Sequence, residues 1–191
     1  DFAVIVAVIG TALTVSLIAA SGVGVVLAVV LFIREQIGGS IIRRKLLGNE
    51  TFSKRVRTHA EMEILTEKGA RAAIVELQGS LFFGTADQLY RALEADLKER
   101  DFLILDMRRI QTVDVTAAHL LEQVKDMLAE RHGYLIFSQI PESLPSGRDL
   151  KEYFDQVGLL HPDSPVRVFP TQDDALEWVE DRIIHDAALT R

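Results

Sequence analysis

The sequence predicts an α/β fold: a mainly parallel or mixed sheet of four to five strands with about four helices, preceded by an all-α transmembrane helical hairpin. Three observations carry this expectation. Residues 2–33 contain no charged side chain. From residue 62 onwards, short apolar runs of strand length alternate with longer runs of helical periodicity, the pattern of a parallel sheet with right-handed crossovers. At residues 79–86, Gly-Ser-Leu-Phe-Phe-Gly-Thr-Ala, an apolar strand gives way directly to an amphipathic helix.

The net charge of −7 over 191 residues conceals three segments: −1 over residues 1–33, +5 over residues 34–58 and −11 over the remainder. The acidic part disfavours a nucleic-acid partner, because phosphate backbones are held by basic clusters. There is no cysteine, which excludes disulfides, thiolate catalysis and cysteine-ligated metal. The same shifts in composition divide the chain into terminal transmembrane helices at residues 1–37, a basic juxtamembrane linker at 38–60 and a globular domain at 61–188.

Residues 2–33 as one straight helix would be about 48 Å long, well beyond a hydrocarbon core of about 30 Å. Two shorter helices fit better, with the break expected around Ser21, Gly22 and Gly24. No basic segment or Met precedes the run, so it is unlike a signal peptide, and the chain reads as part of something longer. Arg34, Arg43, Arg44, Lys45, Lys54, Arg55 and Arg57 follow, and basic residues beside a membrane end favour the cytoplasmic side. Arg34, Arg43, Arg44 and Lys45 are the candidates for contact with anionic lipid headgroups; a solvated linker has the same composition. Ile41, Ile42, Leu46 and Leu47 suit a short interfacial helix.

Residues 62–66 and 72–78 are expected as strands around a tight turn at Glu67, Lys68 and Gly69. Gly79 and Gly84 supply backbone freedom on either side of Leu81, Phe82 and Phe83, which are expected in the core, and Thr85 with Gln88 fits a capping box. The helix that follows carries Ala86, Leu89, Tyr90, Leu93 and Leu97 on one face. Residues 102–105, 134–137 and 166–169 are the later strands. Between and after them come helices marked by Ala117, Leu120, Leu121, Val124 and Leu128, by Leu150, Tyr153, Phe154 and Val157, and by Leu176, Val179 and Ile183. Ser146 and Thr171, each with Asp three residues on, are the candidate caps of the last two.

The order and spacing of several motifs carry a resemblance. Gly22-Val23-Gly24-Val25-Val26-Leu27 precedes Glu76-Leu77-Gln78, the 79–86 stretch, Ile104-Leu105-Asp106-Met107-Arg108-Arg109 and Asp114-Val115-Thr116-Ala117. Together they resemble the last membrane helices and the cytoplasmic STAS domain of bacterial SulP anion transporters, over nearly the whole chain. The resemblance implies a multi-pass protein of the inner membrane that moves sulfate, bicarbonate or a related anion with Na+ or H+. Its partners would be the lipid bilayer, the rest of the membrane domain and a second copy in a homodimer. The anion site would lie in helices absent from this sequence, leaving the STAS part to regulate or assemble the transporter. The rival reading is a membrane-tethered STAS module that binds a nucleotide or a switch kinase.

Ligands of open α/β sheets collect beyond the carboxyl ends of the strands, which directs attention to residues 106–116. Asp106, Arg108, Arg109, Asp114 and Thr116 are the regulatory candidates there. Arg108 and Arg109 either reach a phosphate or pair with surface carboxylates, and Asp114 suits an N-cap. In free-standing STAS proteins that antagonise anti-sigma factors, a hydroxyl residue after the corresponding Asp is phosphorylated; Val115 stands at that position, with Thr116 one residue later. His59, His119, His132, His161 and His185 form no recognisable ligand set, and no nucleophile elbow or Walker-type loop is present. No enzyme activity, cofactor or metal is expected.

Overall fold

The computed structural model describes residues 2–14, 16–161 and 164–189. Arg191, the last residue, lies outside the described residues. The chain divides into two compact units, residues 1–40 and residues 41–191.

The first unit holds α1 (Phe2–Thr14) and α2 (Leu17–Gly38). The break falls at Ser16 and not at Ser21–Gly24. Ser16 has an extended backbone and its Oγ accepts the Ala19 N–H at 3.1 Å, satisfying a donor that the new helix would otherwise leave open. Ser21 instead donates to the Leu17 carbonyl within the helix, and Gly24 lies against Val8 of α1, where a Cβ would stand 3.4 Å from the Val8 side chain. Gly24 therefore lies within the helix at its contact with α1 rather than at a break. Residues 17–34 form a helix long and apolar enough to cross a membrane, while α1 is shorter.

The second unit is built on five strands in the order β1 (Ile42–Leu47), β2 (Ala72–Leu81), β3 (Phe102–Val113), β4 (Tyr134–Ser138) and β5 (Val166–Phe169). β1 is antiparallel to β2, and all other neighbours are parallel, so the sheet is mixed. Alternate residues serve opposite layers, as the pleat requires. Val75, Leu77, Leu103, Leu105 and Phe137 pack with α4 (Phe83–Glu99), α5 (Val115–Glu130) and α6 (Leu150–Gln156). Ile74, Ile104 and Ile136 pack with α3 (His59–Lys68) and α7 (Gln172–Leu189).

Several expectations are corrected here. Residues 62–66 are helical, inside α3, because Thr58 and Glu61 form a capping box: the Thr58 hydroxyl accepts the Glu61 N–H and the Glu61 carboxylate accepts the Thr58 N–H at 2.7 Å. The expected turn at 67–69 is the end of that helix running into a 3-10 turn at Gly69–Arg71. β1 occupies residues assigned to the linker and to an interfacial helix. Its three consecutive charges suit an edge strand, where polar side chains oppose pairing with further chains. Gly48 and Gly69 make its return to β2 close, since a Cβ on Gly48 would meet the Gly69 carbonyl at 2.7 Å.

The corner at 79–86 differs in detail. Gly79 has φ +78°, the left-handed conformation that favours glycine. Leu81 is buried, Phe82 is half-buried, and Phe83 is 74 % exposed, so the apolar triplet is not uniformly core. The helix starts one turn earlier than expected, and Thr85 is its third residue rather than its cap. The Thr85 hydroxyl accepts the Phe82 N–H at 3.0 Å and donates to the Ser80 carbonyl at 2.7 Å. α6 is capped by Asp149, which accepts from Lys151 and Glu152, and not by Ser146. Thr171 caps α7 as the sequence suggests, accepting the Asp174 N–H at 3.1 Å.

Candidate functional site

The register of the sheet aligns Arg44, Glu76, Asp106, Ser138 and Phe169 in a single row across all five strands. Two residues before this row along β2, β3 and β4 stand Ile74, Ile104 and Ile136, packed under α7. The apolar layer thus ends and a mostly polar row begins, which is the carboxyl end of β4 and β5 while β2 and β3 run on to Leu81 and Val113; ligands of such sheets bind at carboxyl ends. A cleft of about 640 Å³ opens here. Arg44, Lys54, Glu76, Arg108 and Gln139 line it, together with Thr171, Gln172 and Asp173 at the start of α7.

Each side chain has a local cause. β2 and β3 pair Glu76 with Asp106 but then Gln78 with Arg109, so β3 carries one extra residue. This bulge puts Arg108 and Arg109 next to each other on the surface, with Arg108 lining the cleft. Asp106 is 2 % exposed. One carboxylate oxygen accepts the Arg108 N–H at 2.9 Å; the other is buried without a hydrogen-bond partner among the described residues. Burial pushes the Asp106 carboxyl above the usual carboxylate range, against the opposing pull of the Arg108 N–H and charge. The Ser138 Oγ, next in the row, is likewise buried and without a partner. Gln139 then takes φ +53°, a strained conformation for a residue other than glycine, and its N–H donates to the Phe169 carbonyl at 3.1 Å.

The charges are arranged unevenly. Glu76 is engaged by Arg43 at 2.9 Å, and Asp173 accepts the Lys54 backbone N–H at 3.0 Å. Among the described residues the side chains of Arg44, Lys54 and Arg108 make no hydrogen bond or ion pair. The cleft can therefore hold an anion with its cations and accept hydrogen bonds with its carboxylates.

The five regulatory candidates do not share one site, because β3 continues to Val113 and turns most of the expected loop into strand. Arg108 lines the cleft, Asp106 is buried in the adjoining row without lining it, and Arg109 is exposed outside the lining. Asp114 caps α5, accepting the Ala117 N–H at 2.7 Å, and also accepts the Phe83 N–H at 3.3 Å. Thr116 is exposed in a separate groove of about 290 Å³ between α4 and α5, with Phe83, Tyr90, His119 and Leu120. Val115 beside it is 60 % exposed. The membrane-surface candidates disperse too: Arg34 is exposed on α2, Arg43 pairs with Glu76, Lys45 pairs with the buried Asp96, and Arg44 lines the cleft. Sequence reasoning missed Gln139 and Lys54, which line the cleft with Arg44.

A family model described as STAS domain matches residues 62–175. Glutaminase 2 of Bradyrhizobium diazoefficiens is 32 % identical over 133 residues, 70 % of this chain and 20 % of the relative. The chain spans about a fifth of the length of the first curated relatives it matches. Among solved structures, a sulfate transporter family protein from Wolinella succinogenes is 26 % identical, covering 60 % of this chain and 88 % of that one, with a TM-score of 0.50. The murine Slc26a9 anion transporter in its inward-facing state covers 94 % of this chain and 28 % of its own, with a TM-score of 0.63 at 17 % identity, a likeness of fold.

Proposed function

Because the chain belongs to the STAS domain family, we propose that it is the C-terminal part of a secondary active inorganic anion transporter of the sulfate or bicarbonate class. The observation that carries this reading is the direct succession of two apolar helices and a STAS domain. The Wolinella succinogenes sulfate transporter family protein supports the transporter class, and the murine anion transporter supports the succession at the level of fold.

On this reading α1 and α2 are the last helices of a multi-pass domain in the inner membrane, and the acidic sheet domain lies in the cytoplasm. The sheet domain regulates or assembles a homodimer; the anion and its coupling Na+ or H+ pass through helices that precede Asp1. The chain's own part is then not catalytic. The match covers only about a fifth of the glutaminase relative, so that name does not by itself carry over to this chain.

The test is the gene upstream of residue 1, followed by reconstitution of the encoded protein in liposomes with labelled sulfate and bicarbonate. Some ten further hydrophobic segments and anion uptake support the reading. A start codon beside residue 1, or a full-length protein that takes up neither anion, overturns it.

A further inference from the structure

We infer that the cleft at the carboxyl ends of β4 and β5 is a binding site for a small organic phosphate: a phosphomonoester on a body that carries hydrogen-bond donors. The first ground is the state of its cations. Many basic side chains of this acidic unit find carboxylates: Arg43 with Glu76, Lys45 and Arg100 with Asp96, Arg57 with Glu180 and Asp181, Arg71 with Asp101 and Asp186; among the described residues Lys68, Arg109 and Lys151 do not, but they are scattered over the surface. Arg44, Lys54 and Arg108 line one cleft and pair with nothing among the described residues. The carboxylates nearest to them, Glu76 and Asp173, are engaged by Arg43 and by the Lys54 backbone. Two guanidinium forks and an ammonium suit the three oxygens and double charge of a phosphomonoester.

The second ground is size. A cleft of about 640 Å³ lies in the range that holds organic ligands and far exceeds a bare tetrahedral oxyanion. Glu76 and Asp173 would repel such a bare dianion but accept from hydroxyl or amine groups on a ligand body. The N-terminus of α7 adds little, because Thr171 and Asp174 already occupy it.

The phosphomonoester has two available sources, a soluble metabolite and a lipid headgroup. Both arms use the full chain, with phenylglyoxal modification of arginines read by mass spectrometry. One arm adds glucose 6-phosphate or inorganic phosphate to the protein in nanodiscs of phosphatidylcholine. The other compares those nanodiscs with ones containing phosphatidylinositol 4-phosphate, a phosphomonoester on a hydroxyl-bearing ring. The expected result is a fivefold or greater slowing at Arg44 and Arg108 with no change at Arg109, which is exposed but outside the cleft. Arg44→Gln and Arg108→Gln should each weaken calorimetric binding about tenfold. Protection by glucose 6-phosphate assigns a soluble ligand, and protection by phosphatidylinositol 4-phosphate alone assigns a lipid. No protection in either arm, equal protection of Arg109, or inorganic phosphate acting as well as the ester overturns the proposal. None of these readouts depends on transport, so a protein that fails to carry anions leaves the inference standing.

Discussion

Lys45 on the edge strand β1 forms an ion pair with Asp96 of α4, a carboxylate that is 2 % exposed. The other oxygen of Asp96 accepts from the Arg100 Nε at 2.6 Å. The three basic residues of β1 thus have three destinations: Arg43 reaches Glu76, Arg44 the cleft and Lys45 a buried acid. Removing one partner of a buried pair typically costs about 3–5 kcal/mol. Lys45 is about a third exposed and Arg100 still holds Asp96, so the expected cost of Lys45→Ala is smaller, about 1–2 kcal/mol. Arg44→Ala should stay within about 0.5 kcal/mol. Urea melts of the two variants check this ordering; equal midpoints would show that Lys45 does not support the fold.

The corner after β2 gives a second contrast. Leu81 is fully buried in the α4 and α5 layer, and Phe83 is largely exposed. Leu81→Ala should cost about 2–5 kcal/mol and Phe83→Ala less than about 0.5 kcal/mol. Denaturation midpoints of both variants decide it, and a large loss in Phe83→Ala would mean that its ring is covered in the native assembly.

Arg57 fastens the segment between β1 and α3 to α7. Its side chain is 3 % exposed and pairs with Glu180 at 2.9 Å and Asp181 at 2.5 Å, while the Ser53 N–H donates to Glu180 at 2.6 Å. Arg57→Ala leaves Glu180 buried without its cation and should cost about 3–5 kcal/mol. Hydrogen exchange should then rise first at residues 49–58, released from α7. Unchanged exchange there would refute the clamp.

Asp106 makes stability depend on pH in a defined direction. Its carboxyl is pushed above the usual range by burial, so the folded state holds the proton to higher pH than the unfolded state. Its contribution is therefore most favourable below the unfolded value, near 3.8, and is lost as pH rises through the folded value. Asp106→Asn retains an acceptor for the Arg108 N–H and removes the ionisation. The variant should melt at a higher temperature than the parent at pH 7–8, with the gap closing as pH falls towards about 4. A gap independent of pH would mean that the carboxylate is not the source.

Thr116 is exposed as the second residue of α5, about 100° around the helix from Val115, which takes the outward position at its start. A kinase aligned on position 115 meets a valine. Mass spectrometry of the protein from its own host should find no substantial phosphate on Thr116. Phosphate there, lost in Thr116→Ala along with a change in transport, would show a switch displaced by one residue.

By itself the sequence determined what local pattern can carry. The charge-free run, the later strands of the sheet, the apolar faces of α4, α5 and α7, and the caps Asp114 and Thr171 depend on neighbours within a few residues, so periodicity and composition reveal them. The tertiary structure decided what depends on pairing across the chain. Ile42-Arg43-Arg44-Lys45 has no alternation to mark a strand and becomes one because the edge of β2 offers its hydrogen bonds. Residues 62–66 form a short apolar run of strand length yet are helical, because the Thr58–Glu61 cap starts a turn that then packs on α7. The cleft is decided in the same way: Arg44, Glu76, Arg108 and Gln139 stand far apart in the chain and line one cleft through the pairing of the strands, which no local pattern records.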